Sequence, residues 1–204
     1  MEKLWSSKIF NLILLITIIG EFLLPFILKF FYLGYDSKKM VMSVLGNPKS
    51  PVKIIYNIWH VWLGIFLLLT SFVFFSETEK TSLKLAVLTS VSISVFAVGA
   101  GILSGIFGVN ESKDVVTAAS QIHGFGSAIG FMALLFYPLL SSIAAFRNND
   151  FIQGTVCVSA FIIAVVFFTF FIMGDKEKFK ETVFSYAGLW ERLCLFFMYV
   201  PFLY

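Results

Sequence analysis

Six apolar runs separated by short polar stretches organise this chain: 9–31, 52–75, 83–107, 122–146, 151–173 and 188–204. Each of the first five is long enough, at about 1.5 Å per residue, to cross a hydrocarbon core of about 30 Å. The sixth is short, which implies a tilt or an earlier start. Backbone polar groups in lipid must be satisfied within the segment or in a closed barrel, and runs of this length select helices. The pattern therefore predicts an all-α, polytopic transmembrane bundle of six spans, forming one domain over residues 1–204. No loop is long enough to hold a folded soluble domain, which places any chemistry in or beside the bilayer.

Within the runs, the few polar and small residues recur at helical spacing. Asn57, His60, Gly64 and Ser71 share one face of the second span, and His123, Ser127, Gly130 and Tyr137 share one face of the fourth. Ser94, Gly101, Gly105 and Gly108 mark a stripe on the third. Gly101-x-x-x-Gly105 and Gly126-x-x-x-Gly130 are small-x-x-x-small patterns that let helix backbones approach closely. They predict a tight hairpin of spans three and four, joined by the most polar loop of the chain (108–121).

Ionisable residues inside the runs are the next signal. A charge at the bilayer centre costs about 2.5–3.5 kcal/mol on insertion scales, so such side chains face a protein interior or a cavity. Glu21, His60, His123, Glu191 and Arg192 qualify, and Lys29 reads as a side chain that snorkels to the interface. Pro25 follows Glu21 by four residues and removes the helical partner of the residue-21 carbonyl. An even number of spans puts both termini on one side, A. His60, His123, the Glu191–Arg192 pair and the loops 45–51 and 108–121 then gather on the opposite side, B, with Glu21 deeper but reachable from there. This predicts a polar pocket opening to side B, with Glu21, Asn57, His60, Glu111, Asp114, His123, Glu191 and Arg192 as its candidates. Glu191 and Arg192 project about 100° apart on a helix and are not partners of each other. Arg192 is expected to meet Glu21, Glu111, Asp114 or a ligand anion, or else to anchor the helix end. The fifth span carries almost no polar residue and reads as lipid-facing.

Composition adds the class. Of 204 residues, 59% are hydrophobic and 13% charged, about half the charged share of a soluble domain. The net charge of +3 is spread over short loops and leaves no nucleic-acid footprint. Eight basic residues fall on side B and five on side A, a lean towards side B in the cytoplasm that Lys3 and Lys8, before the first span, oppose. Trp5, Tyr32, Tyr35, Tyr56, Trp59, Trp190 and Tyr204 lie near span ends, as interfacial aromatic belts do. Cys157 and Cys194 sit in apolar runs and read as buried free thiols. The first run is longer than the h-region of a signal peptide, about 7–15 residues, and no small-x-small site follows it, so it is read as a retained helix. The bias to Lys and Phe suggests an AT-rich bacterial genome and hence the bacterial cell membrane.

Three stretches carry a likeness: LGNPKSP leading into YNIWHVWLGIFLL, GILSGIFG leading through the polar loop to IHGFGSAIGF, and GLWERLCLFFMYVPF. Together they resemble the domain-of-unknown-function 998 family, six-helix membrane proteins of bacteria and archaea. In that family the segment after the third span often has a Pro and an acid before a histidine. Here Gly108 stands in place of the Pro, and Glu111 and Asp114 precede His123. A start to the last span like the family's G-x-x-(Q/E)-R is matched by Gly188, Glu191 and Arg192. The resemblance implies a topology and site positions but no reaction.

Three functions follow from these residues. The first is a non-catalytic protein whose side B pocket binds a lipid headgroup or small amphiphile. The second is a small transporter, or a proton or ion relay through Glu21 and the histidines, although no internal repeat is seen. The third is an intramembrane hydrolase-like enzyme using His60, His123 and a carboxylate. Two histidines without H-x-x-x-H or H-E-x-x-H spacing do not specify a metal site, and no cofactor or metal is expected. Membrane lipids are the expected partners, and a homo-oligomer or a larger complex is left open.

Overall fold

A computed structural model describes residues 7–110, 116–174 and 176–204. Glu111 and Asp114, along with Lys3, Trp5 and Lys113, lie outside the described residues. The rest is an all-α bundle. Its helices are α1 (Lys8–Leu28), α2 (Lys53–Thr78), α3 (Leu83–Phe96), α4 (Ala118–Leu135), α5 (Tyr137–Arg147), α6 (Phe151–Gly174) and α7 (Ala187–Tyr199). The helical path of α3 continues through a π-helical segment, Ala97–Leu103, to Ser104–Ile106. α4 and α5 form one path that bends at Phe136, where Pro138 cannot donate to the preceding turn. Five paths are long and apolar enough to cross a membrane: Lys8–Phe31, Lys53–Thr78, Leu83–Ile106, Ala118–Arg147 and Phe151–Gly174. α7 is the sixth. Its 13 residues rise about 20 Å, and the 3₁₀ turn Val200–Leu203 adds about 8 Å, close to a hydrocarbon thickness. These are the helices of a multi-pass membrane protein.

Burial is inverted relative to a water-soluble bundle. Leu12, Ile16, Ile19, Leu23 and Phe26 of α1 are exposed on the outer face, whereas Glu21, His60, His123 and Glu191 are buried. Lipid satisfies the first set, and only protein or cavity can satisfy the second. α7 packs along α6 and reaches across the bundle through Tyr199, whose ring meets Phe22 of α1 and Phe96 of α3 edge-on, both at 6.0 Å.

The small residues act, but not as the hairpin expectation had them. Gly101 and Gly105 face α2. A Cβ on Gly101 would stand 2.6 Å from Gly64 Cα, and one on Gly105 would stand 2.7 Å from the Asn57 carbonyl oxygen. The contact between α4 and the third span runs instead through Gly99, where a Cβ would strike the Gly126 carbonyl. Gly130 lies over Ala100 on the same seam. The third span is thus clamped on both sides. The stripe of Gly101 and Gly105 faces α2 while Gly126 and Gly130 meet Gly99 and Ala100, because residues two apart, such as Gly99 and Gly101, project to opposite sides of a helix.

Two further residues have more specific contacts. The Trp59 indole packs into the space left by Gly20 and donates to Glu21. The Lys29 Nζ lies 3.9 Å from the Phe26 ring centroid and 5.0 Å from that of Phe30, a cation–π arrangement. Cys157 and Cys194 are free and buried.

Candidate functional site

The π-helical turn creates the first polar feature. Widening the helix takes carbonyls out of their regular ladder, and side chains supply the missing donors. His60 Nδ1 lies 3.3 Å from the Ala100 carbonyl, and Ser104 Oγ donates to the Gly99 carbonyl at 3.1 Å. A carbonyl can only accept, so the proton sits on His60 Nδ1 and the lone pair of the neutral ring on Nε2. His123 repeats the arrangement from α4, with Nδ1 2.8 Å from the Phe107 carbonyl. Both tautomers are set by backbone. Ser104 Oγ also lies 2.7 Å from Ser127 Oγ. Because the Ser104 proton goes to Gly99, Ser127 donates here, and its own lone pairs stay free.

Glu21 enters from α1. Its Oε2 accepts from Trp59 Nε1 at 2.9 Å, and its Oε1 faces His60 Nε2 at 3.8 Å. That separation is too long for a direct hydrogen bond, and His60 Nε2 is buried without a partner among the described residues. The Tyr56 ring lies against the His60 ring, centroids 4.3 Å apart.

Glu191 enters from α7. Its Oε2 accepts from the Met42 backbone N–H at 2.6 Å, which fixes the 3₁₀ turn Met42–Gly46 over the helix ends. The neighbouring residues of the GLWER stretch hold the preceding loop. Gly188 lacks a Cβ where the Met40 carbonyl passes, and Leu189 N–H donates to the Lys38 carbonyl at 2.9 Å. Arg192 donates to the carbonyls of Ser37 at 2.8 Å and Gly188 at 2.6 Å, and to the Tyr35 hydroxyl at 2.7 Å. Burial raises the Tyr35 phenol to about 12, although the Arg192 charge opposes it. Among the described residues, then, the oxygens that Arg192 donates to are those of the loop and of Gly188, as in the alternative that it anchors the helix end. The 100° between adjacent helical residues aims Glu191 inward and Arg192 at the loop, where its guanidinium is taken up by protein oxygens.

These groups border one cavity of about 360 Å³, a size typical of small-molecule sites, about 300–1,000 Å³. Glu21, Tyr56, His60, His123, Glu191 and the hydroxyls of Ser43, Ser104 and Ser127 line it, with no Lys or Arg among the described lining residues. The remaining wall is apolar and largely aromatic: Phe96, Phe131, Met132, Phe168, Phe171, Ile172 and Leu195. Four of the eight sequence candidates thus converge: Glu21, His60, His123 and Glu191. Arg192 lies outside the lining, as does Asn57, whose Oδ1 abuts Gly46 and is buried without a hydrogen-bond partner among the described residues.

The sequence pattern does not point to Trp59, Tyr56, Ser104, Phe168 and Phe171 as site residues, whereas Ser127 shares the histidine face by helical spacing. The fifth span is not simply lipid-facing, because Phe168, Phe171 and Ile172 of α6 form one wall. On that side several lining residues are also exposed. α4 and α6 barely touch here; Phe131 and Phe171 meet across the gap with ring centroids 5.9 Å apart. Met132 and Ile172, on the two lips, are each 47% exposed while lining the cavity. Above the polar end lies the 41–43 segment, held by Glu191.

The described residues contain no group of three or more His, Cys, Asp or Glu placed to hold a metal ion. No curated protein and no solved structure gives a match. The family described as Protein of unknown function (DUF998) matches residues 15–203. Over nearly its whole length, then, the chain belongs to the DUF998 family.

Proposed function

We propose that this protein binds a single-chain amphiphile within the membrane, as one domain spanning the whole chain, without chemistry on it. One observation carries the reading. The cavity has buried polar groups at one end, an apolar aromatic wall along the other, and lips on α4 and α6 whose outer sides are exposed. A head seated at Glu21, His60, His123 and Glu191 leaves a chain to run past Phe131 and Phe171 and out between the two helices. Entry is then lateral, from the hydrocarbon, rather than through the loops of side B. A through path is disfavoured by what lies beyond Glu21. Leu14, Ile18, Leu63, Leu67 and Met198 are buried there, and the nearby hydroxyls of Thr70 and Ser71 are spent on backbone carbonyls.

The test is photolabelling in nanodiscs with an alkyl probe that carries a diazirine on its chain. Adducts are expected on Met132, Phe168, Phe171 or Ile172, and Ala128→Trp, which fills the gap from the α4 side, is expected to remove them. Adducts spread evenly over outer faces such as Leu12, Ile16 and Leu23 of α1, unaffected by Ala128→Trp, overturn the reading.

A further inference from the structure

The polar end of the cavity is rich in acceptors. Each carboxyl has one oxygen committed to a fixed protein donor, Trp59 Nε1 for Glu21 and Met42 N–H for Glu191, which leaves Oε1 of each unspent. Each imidazole sets its Nδ1 against a backbone carbonyl, and the Nε2 of His60 is buried without a partner among the described residues. Ser104 and Ser127 have likewise spent their protons, Ser104 on the Gly99 carbonyl and Ser127 on Ser104 Oγ. Among the described lining side chains the hydroxyls of Ser43 and Tyr56 remain as donors, and the Arg192 guanidinium outside the lining is bound to loop oxygens.

The 3.8 Å between Glu21 Oε1 and His60 Nε2 is the sharpest feature. Two acceptors face one another, too far apart to share a proton directly. His60 is 7% exposed and Glu21 1%, so the missing donor has to come from a group inside the cavity. A single small group that carries several N–H bonds and no lone pair satisfies both at once. An ammonium offers three donors and no acceptor, and the Tyr56 and Phe96 rings beside it add cation–π attraction. A phosphate or sulfate would instead meet two carboxyls with no Lys or Arg among the described lining residues to donate to it.

On the reading that the cavity takes an amphiphile, we propose that the ligand's head is a protonated amine, held between Glu21 and His60 with Glu191 as second counter-charge, and that anionic heads are rejected. The lipid-headgroup class is thereby narrowed to amine-bearing, single-chain molecules.

Competition against the diazirine probe in nanodiscs separates this proposal from the reading beneath it. Decylamine, decanol and decyl sulfate, below their micelle-forming concentrations, share a chain and differ in head. Decylamine is expected to protect the α4 and α6 adducts at a concentration about tenfold or more below decanol, the scale of one charge-assisted hydrogen bond, with decyl sulfate weakest. Glu21→Gln is expected to erase the advantage of the amine while decanol still protects. If Glu21→Gln does not fold, the wild-type ranking decides alone. Equal protection by all three heads, or a better showing by the sulfate, overturns the amine proposal and leaves the amphiphile reading standing. Absence of any cavity adduct overturns both.

Discussion

Gly101→Ala tests the link from packing to chemistry. A methyl at this position stands 2.6 Å from Gly64 Cα and 3.0 Å from Gly64 N, both backbone atoms that no rotamer change can move. Ordinary contact begins at 3.4 Å, so α2 and the third span must part by about 0.8 Å. His60 and Ala100 lie on the two sides of that seam, their bond already at 3.3 Å. Parting along it stretches the bond to about 4.1 Å, beyond hydrogen-bonding range. Overpacking costs about 1–3 kcal/mol, and a buried carbonyl left unsatisfied costs about 1–3 kcal/mol more. The better helix propensity of Ala returns about 1 kcal/mol. The net expectation is destabilisation by about 1–5 kcal/mol, with loss of the fixed His60 tautomer and of cavity labelling. The control is Gly124→Ala, where a Cβ meets nothing within 4 Å and stability is expected to hold or rise by up to about 1 kcal/mol. Reversible unfolding in mixed bicelles measures both. If Gly101→Ala matches wild type, or if Gly124→Ala is the more damaging of the two, the close-approach argument is refuted.

Other outcomes follow from the same contacts. Arg192→Ala removes the donors to Ser37, Gly188 and Tyr35, so hydrogen exchange and protease cleavage across 35–42 should rise while α2 and α3 stay protected; unchanged exchange would show that Gly188 and Leu189 hold the loop alone. Tyr35 is raised from 10.0 to about 12 by burial, so the unfolded chain loses this proton first. Its contribution to stability is therefore constant below about pH 10 and declines between about 10 and 12; an ultraviolet titration showing Tyr35 ionising near 10 in the folded protein contradicts this. Cys157 and Cys194, both at 0% exposure, should resist maleimide in the folded protein and react after denaturation, and modification of either in the folded state would contradict their burial.

Half of the candidate site was legible in the sequence for one reason. A charged or imidazole side chain in an apolar run is costly enough that it must turn inward, so Glu21, His60, His123 and Glu191 announced themselves. Arg192 announced itself equally, but its partner did not. Backbone carbonyls at Ser37 and Gly188 leave no mark in residue types, so acids and anions were the only partners a sequence could suggest. Trp59, Phe168 and Phe171 stayed hidden because aromatic residues in a membrane helix serve lipid, core and pocket alike. Gly101 and Gly105 marked a close approach but not which helix approached.

From its pattern alone this chain determined a class and a topology: apolar runs of membrane-spanning length must become helices, and their few ionisable residues must face inward. The tertiary structure decided everything that depends on which surfaces meet. It paired Gly101 with Gly64 and Gly99 with Gly126, gave the π-helical carbonyls to His60 and Ser104, turned Arg192 to the loop, and left α4 and α6 parted over an acceptor-rich cavity. Periodicity assigns a residue to a face of its own helix. Only packing assigns that face a neighbour.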